Sequence, residues 1–353
     1  MGRATMQDVA LRAGVSRALV SLVMRNSPRV SPQRRAAVFA AATELGYRPH
    51  AMARQLASRD STVLGVLVSD LHNQFFADLV DGVDQAAHEQ GFSLLLQTGQ
   101  RRAAREEQVI DTLLSFSPAG LVLLGPVVAT RIMAAAARQS PVIAVTRSCR
   151  HPDIDTVTDD SEAGARLAVT HLAGLGHRAI AHLDGGNGAQ AALRRRGYRV
   201  AMAEAGLAPL IVRSEYTETG GVLGARALLS SAPETTAVFC SNDLNAVGAI
   251  AELEDHGLQV PADMSVVGYD NTALAALRHV SLTTVHQPRH EMGRLAVELL
   301  LDRIRGNRDT VSRLQLEPTL VVRKTTAAPR SAATAAVRAV DGAATSPKRE
   351  VSA

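Results

Sequence analysis

At 353 residues the chain has material for two or three domains at a prior of roughly 150 residues each, which excludes a peptide hormone or a disulfide-stapled miniprotein. Its two cysteines, Cys149 and Cys240, lie far apart without a CxxC or Cys/His cluster, arguing against a disulfide framework, a zinc site or a thioredoxin-type motif. The net charge of +4 is uneven: residues 1–60 carry ten arginines against three acids, Asp8, Glu44 and Asp60. A basic head on a mildly acidic body fits contact with a polyanion, although charge alone equally allows a solvated basic face. No stretch approaches the roughly 20 apolar residues of a spanning helix, and the opening MGRATMQDVALRAG lacks the apolar run of a secretory signal. A cytoplasmic chain with no membrane contact is expected.

The head reads as three short helices with clear punctuation. Thr5 is placed to cap a helix with Met6, Val9, Ala10 and Ala13 at helical spacing, and Gly14 stops it. Ser16 caps a second helix with Leu19, Val20 and Val23 on its inner side. Only a tight turn separates the two, which is helix-turn-helix geometry. Ser31 and Pro32 start a third helix, through Val38, Ala41, Ala42 and Leu45 to Gly46.

From Val63 the pattern changes to short β-branched runs alternating with helices. VLGVLV (63–68), FSLLLQ (92–97), GLVLL (120–124) and PVIAV (141–145) are separated by helices near 75–90, 104–116 and 128–139. AIAHL (179–183), LIVR (210–213), TAVFCS (236–241) and MSVVGYD (264–270) form a second series with helices near 161–175, 189–205, 219–231 and 243–256. Such alternation builds parallel sheets, and two doubly wound lobes are expected, with a ligand between them at the carboxyl ends of the strands. LTTV (282–285), a helix near 289–305 and the run LQLEPTLVV (314–322) follow. Residues 326–353, with Val their only large aliphatic, read as a disordered tail.

Several tempting patterns lack their chemical context. GGNG (185–188) is not a complete GxGxxG and reads as a tight turn near the cleft. His171, His177 and His182 have no zinc spacing, and His286 with His290 lacks the glutamate of HExxH; all read as surface or capping histidines. No GxSxG, P-loop or paired carboxylates occur where they would support catalysis. An enzyme is disfavoured, and neither a metal nor a cofactor is expected.

The segment from MQDVALRAGVS through RVSPQRRAAVFAAATELGYRPHAMARQLAS resembles the head of the LacI/GalR family of bacterial transcriptional regulators. HLAGLGHRAIAHL, RRGY, SNDLNAVG, VPADMSVVGYDN and LTTVHQPRHEMG extend the resemblance in order to about residue 325. It implies an N-terminal all-α helix-turn-helix domain (1–49), a hinge helix (50–60) and an α/β two-lobed core (61–325) like type I periplasmic binding proteins. The family implies a homodimer on a near-palindromic double-stranded DNA operator. The tail lacks the leucine heptads that tetramerise some relatives, so a dimer is expected.

By family position, Arg17 and Ala18 face base edges, Arg17 being able to read guanine through its two-pronged guanidinium or to bind phosphate alone. Leu19 and Leu22 depart from the usual Thr and Arg. Thr5, Ser16, Ser21, Asn26, Ser31, Arg34 and Arg35 complete the backbone-contact set, several of the hydroxyls serving equally well as helix caps. In the hinge, Ala53 and Leu56 fit the family pattern, with Leu56 as the wedge entering the minor groove or, without that context, a core residue.

In the body, SDLHNQFFADLVDG stands where sugar-binding relatives carry an NPFF-like motif, which puts Asn73, Phe75 and Phe76 at the cleft mouth, one of the two rings packing inward. Arg194, Asn242 and Asp270 lie at or just beyond strand ends and match the polar clamp of sugar-responsive members, with Arg147 and Gln287 completing it. For Asn242 and Asp270, capping is the plainer alternative. Thr146 stands where sugar binders commonly carry Asp. The resemblance implies an allosteric repressor whose effector, a monosaccharide, binds between the lobes; a non-sugar corepressor, or a sugar-binding protein without a regulatory role, are the alternatives.

Overall fold

In the head, α1 (Met6–Ala13), α2 (Arg17–Met24) and α3 (Pro32–Glu44) follow the sequence punctuation closely. The computed structural model describes residues 4–24, 27, 29–47, 61–188 and 190–330. Thr5 and Asp8 form a reciprocal capping box, Thr5 N donating to Asp8 Oδ2 at 2.8 Å while Asp8 N donates to Thr5 Oγ1 at 3.3 Å. Such a cap stabilises by about 1 kcal/mol. Gly14 ends α1 in the left-handed region at φ 64°, and Ser16 Oγ accepts from Leu19 N at 3.2 Å to begin α2. Val9, Ala10, Val20, Val23, Val38, Ala41 and Ala42 form the head's own small core.

The body, a separate unit from Val63 onward, contains two six-stranded sheets. The first lobe takes β1 (Val63–Val68), α4 (Phe75–Glu89), β2 (Ser93–Thr98), α5 (Ala103–Ser115), β3 (Gly120–Leu124), α6 (Thr130–Ala137), β4 (Val142–Val145) and β5 (Ile154–Asp159). The second takes α7 (Ser161–Gly174), β6 (Ile180–Leu183), α8 (Ala191–Glu204), β7 (Leu210–Val212), α9 (Glu218–Ser231), β8 (Ala237–Cys240), α10 (Asp243–Asp255), β9 (Ser265–Asp270), α11 (Ala273–Ala276) and β10 (Thr283–His286). The chain then returns through α12 (Arg289–Ile304) and β11 (Arg313–Leu316) to the first lobe and ends with β12 (Thr319–Val321) in the second. The strand orders are β11-β5-β4-β3-β1-β2 and β12-β10-β9-β8-β6-β7, parallel except for β10 with β12. In each sheet the order reverses beside the first strand of its lobe, which puts a crevice at the carboxyl ends of β1 and β6. Each sheet is covered on both faces by apolar clusters, so the strands read as nearly continuous hydrophobic runs.

The expected run 314–322 is two strands in different sheets. Glu317-Pro318 divides it, because proline supplies no ladder donor and restricts the residue before it. The strand β5 was not expected: its six residues are all buried, but Asp155, Thr156, Thr158 and Asp159 hide it from an apolar-run reading. His177 and His182 are core residues rather than surface or capping ones. His182 stacks on Phe239 (4.6 Å between centroids) and pairs through Nδ1 with Phe239 O at 2.9 Å; burial pulls its pKa down to about 4, so it is neutral.

Ordered chain also runs past the expected end of the domain. Thr326 meets His171 Nε2 at 3.0 Å, Ala327 N donates to Ser265 Oγ at 3.0 Å, and Arg330 pairs with Asp263. A compositional argument counts only apolar burial, whereas this segment is held by polar partners. Residues 331–353 lie outside the described residues.

The return helix α12 packs closely on α4. A Cβ at Gly293 would lie 2.3 Å from Leu79 O, and one at Gly82 would lie 2.1 Å from His290 O. Gly293→Val is therefore expected to destabilise the body by about 1–3 kcal/mol through forced separation of the two helices. Urea unfolding checks this; an unchanged midpoint would show that the helices can part freely. No helix among the described residues is long and apolar enough to cross a membrane.

Candidate functional site

Loops at the carboxyl ends of both sheets meet around one cleft of about 590 Å³, solvent at its mouth included, a size suited to a small molecule. From the first lobe it is lined by Ser69 and Asp70 after β1, Asn73, Phe75 and Phe76 at the start of α4, Arg101, Gly125, Val127 and Thr146. The second lobe contributes Gly188, Gln190, Arg194, Tyr216, Asn242 and Asp270, and Gln287 stands where the chain recrosses.

The polar wall is tightly organised. Asp270 Oδ1 accepts from Gln287 Nε2 at 2.7 Å and lies 3.9 Å from Arg194 Nη2. Arg194 donates to Ser241 O at 2.5 Å and lies over the Tyr269 ring, 3.6 Å from its centroid. Arg194 and Asp270 are both buried. Burial pushes the Asp270 carboxyl above its ordinary range, against the pull of Arg194. Arg194 Nε, Gln287 Oε1 and Gln190 Nε2 are buried without a hydrogen-bond partner among the described residues. Such atoms are costly in a folded protein, and here they mark groups free to recognise a polar ligand.

The backbone behind Asp270 is fixed from several sides. Asp270 (φ 111°) and Asn271 (φ 55°) both occupy the left-handed half of φ space. Asp243 accepts from Thr272 N at 2.7 Å, Thr272 Oγ1 at 2.9 Å and Thr284 Oγ1 at 2.6 Å. Arg289 donates to Asn271 O at 2.9 Å and reaches Asp78 of α4 at 2.5 Å. Strained conformations persist where surroundings over-determine them, and they cluster at functional sites.

Of the expected effector residues, Asn73, Phe75, Phe76, Arg194, Asn242, Asp270 and Gln287 all line this cleft. Phe75 packs into the first lobe's core, and Phe76 meets it edge-on with centroids 5.2 Å apart. The Phe76 ring also lies against Gly125, where a Cβ would be 2.7 Å from it. Asn242 does cap α10, accepting from Asn245 N at 2.9 Å, and still lines the cleft. Asp270 caps no helix; its side chain meets Gln287 and Arg194.

Arg147 is not brought into the cleft. Thr146, at φ 62°, faces the cleft, while Arg147 lines an adjoining recess and donates to Pro126 O at 2.9 Å and to Val128 O. The sequence reading missed Asp70, Arg101, Gln190 and Tyr216. Tyr216 carried an indirect signal: its ring fills the space above the GGNG turn, where a Cβ on Gly185 or Gly188 would come within 2.4 or 2.1 Å of it.

In the head, Arg17 and Ala18 are exposed in the first turn of α2, and Arg34 is exposed on α3. Thr5 and Ser16 serve as caps. Ser31 holds the N-cap position of α3 without a side-chain cap bond, and Ser21 is half-buried. Arg35 donates to Ser27 O at 2.7 Å, pinning the turn between α2 and α3. Leu19 and Leu22 are half-buried against the head's core. Asn26, Ala53 and Leu56, with the rest of the expected hinge, lie outside the described residues.

Residues 5–50 match the family described as bacterial regulatory proteins, lacI family, and residues 169–326 match the periplasmic binding protein-like domain. The chain is 36% identical over 325 residues to the ribose operon repressor of Haemophilus influenzae, covering 91% of this chain and 98% of that one. It is 34% identical over 329 residues to the HTH-type transcriptional repressor PurR of Vibrio campbellii, with the same coverage. Among solved structures, the Lac repressor dimer bound to operator and the anti-inducer ONPF aligns with a TM-score of 0.82 at 31% identity, over 93% of this chain and 100% of that one. The regulator CelR in complex with cellobiose aligns with a TM-score of 0.70 at 34% identity, over 92% and 100%.

Proposed function

The chain belongs to the LacI family of bacterial regulatory proteins, and from that premise we propose that it is a cytoplasmic, homodimeric repressor released from or held on its operator by a sugar bound between the lobes. Sequence-specific DNA binding through the head and control by a small effector are the family's working parts, and the chain is a regulator rather than an enzyme. The observation that carries the sugar reading is the cleft itself, where Phe76 and Tyr216 offer aromatic surface beside Arg194, Asn242, Asp270 and Gln287. Ring faces suit the apolar side of a sugar, and donors and acceptors of both kinds suit its hydroxyls.

On the DNA side, Arg17 and Ala18 at the exposed start of α2 are the proposed base-reading pair, with Ser16, Ser21, Asn26, Ser31 and Arg34 toward the phosphates. The half-buried Leu19 and Leu22 leave Arg17 as the one long cationic side chain proposed for that groove. Thr5 and Arg35 contribute by fixing the helices. A DNase footprint on DNA flanking the gene, with and without a panel of monosaccharides, tests the reading. A palindromic footprint that one sugar abolishes or strengthens supports it; no footprint on local or selected DNA removes it.

For the hinge, Leu56→Ala is expected to weaken operator binding by about tenfold or more while leaving non-specific binding within twofold, because an apolar wedge acts only where the duplex is bent and unstacked. Titration of operator and scrambled duplexes at one salt concentration checks this. Equal losses on both would show that Leu56 makes no wedge.

A further inference from the structure

Beside the cleft lies a second recess, lined by Pro126, Val127, Arg147, Ser148, Arg150, Asn187, Gly188, Gln190, Ala192 and Leu193. It is continuous with the cleft, since Val127, Gly188 and Gln190 line both. Their charges differ. In the cleft, two carboxyl side chains, Asp70 and Asp270, accompany Arg101 and Arg194. In the recess, Arg147 and Arg150 stand without an acidic side chain among its described lining residues.

We propose that this recess holds the phosphate of a phosphorylated monosaccharide whose ring occupies the cleft. The inference rests on the sugar reading above and names the class of sugar. Its anchor is Arg147, which is no freely solvated surface arginine. Its guanidinium is tied to the carbonyls of Pro126 and Val128. That loop is itself pinned by Glu106, which accepts from Val127 N at 2.7 Å and Val128 N at 2.9 Å. A guanidinium held in place loses little freedom when it binds an anion, and its remaining N–H groups match phosphate oxygens. Arg150 at the exposed rim supplies the second positive charge, so the pair balances a dianionic ester. Gln190 Nε2, a buried donor without a partner among the described residues, stands in the wall shared with the cleft, where the ester would join the ring. The first turn of α8 adds Ala192 and Leu193 to the lining, and the positive end of a helix favours an anion there.

The test is calorimetry on the full chain with matched pairs, ribose with ribose 5-phosphate and glucose with glucose 6-phosphate, and with gluconate as the carboxylate arm. An ester is expected to bind at least about tenfold more tightly than its parent sugar, the gain of one charge-assisted contact. Arg150→Gln, at an exposed position, should remove most of that gain and leave parent-sugar affinity unchanged; Arg147→Met should narrow the ratio of ester to parent-sugar affinity further. A parent sugar that binds as tightly as its ester overturns the inference while the sugar reading stands. Gluconate binding more tightly than every ester overturns the phosphate assignment. If no member of the panel binds a chain that still footprints its operator, both readings fail.

Discussion

Asp270→Asn is expected to lower effector affinity by about ten- to a hundredfold, the worth of a charge-assisted hydrogen bond to a desolvated carboxylate, while operator binding without effector is unchanged. Asparagine keeps the shape of the side chain and can still accept from Gln287 Nε2, now at 2.7 Å from Asp270 Oδ1. What it removes is the ionisable carboxyl 3.9 Å from Arg194. Burial lifts the Asp270 pKa to about 8, so its charged acceptor form is full only above that value and is lost as pH falls through it, and the variant's loss of affinity is largest above about pH 8. In the proposed complex ligand hydroxyls donate to the carboxylate, so wild-type affinity should fall with decreasing pH across that window, and the variant's profile should be flatter. Calorimetry across pH, paired with operator titrations, separates the two effects. Unchanged affinity in the variant would reduce Asp270 to a structural residue of its turn.

The position of Gln287 suggests how occupancy of the cleft becomes a change in lobe geometry. The chain passes between lobes near Asp160, at 287–288 and at 317–318, and Gln287 at the second passage bonds directly to Asp270. Arg289, two residues on, grips Asp78 in the first lobe and Asn271 O in the second. Across the cleft, Arg101 faces Glu215 at 4.0 Å and Gln74 Oε1 accepts from Leu274 N at 3.3 Å. A ligand that binds the closed arrangement better than the open one shifts the balance by that difference in affinity and no more.

Much of this was legible because it rests on local signals. Caps at Thr5 and Ser16, the glycine stop at Gly14 and the alternation of apolar strands with helices each act over a few residues. Two cleft-lining residues were legible through position, Asn242 just beyond β8 and Asp270 at the end of β9, whereas Arg194, in the first turn of α8, was legible only through the resemblance of its RRGY context. Arg147 lies in the adjoining recess while Thr146 before it lines the cleft, and no residue pattern announces a threonine at φ 62°. Arg101 and Gln190 likewise reach the cleft from left-handed positions. The strand β5 was hidden because Asp155, a charged residue at 0% exposure, is stable there only through partners that follow it by about 150 positions.

Those partners make Asp155→Asn the substitution with the largest expected cost to the fold, about 3–5 kcal/mol, the usual penalty for breaking a buried ion pair from one side. Arg303 donates to Asp155 at 2.8 and 3.1 Å, Arg308 at 2.8 and 2.9 Å, and Ser312 N at 2.6 Å. Together they fasten the end of α12 and the start of β11, the edge strand of the first lobe's sheet, to β5 beside it. Burial alone would raise the Asp155 pKa, but the bonds from Arg308, Arg303 and Ser312 N outweigh it and leave the group below its ordinary 3.8. An acid with a depressed folded pKa contributes stability that is full above the unfolded value and fades as pH falls through the folded one. The difference between wild type and Asp155→Asn should therefore be complete at pH 7, a drop in melting temperature of roughly 10 °C, and should shrink below pH 3.8. Thermal unfolding at both pH values checks it. A difference that stays constant with pH would assign the loss to packing around β5 instead of to the charge.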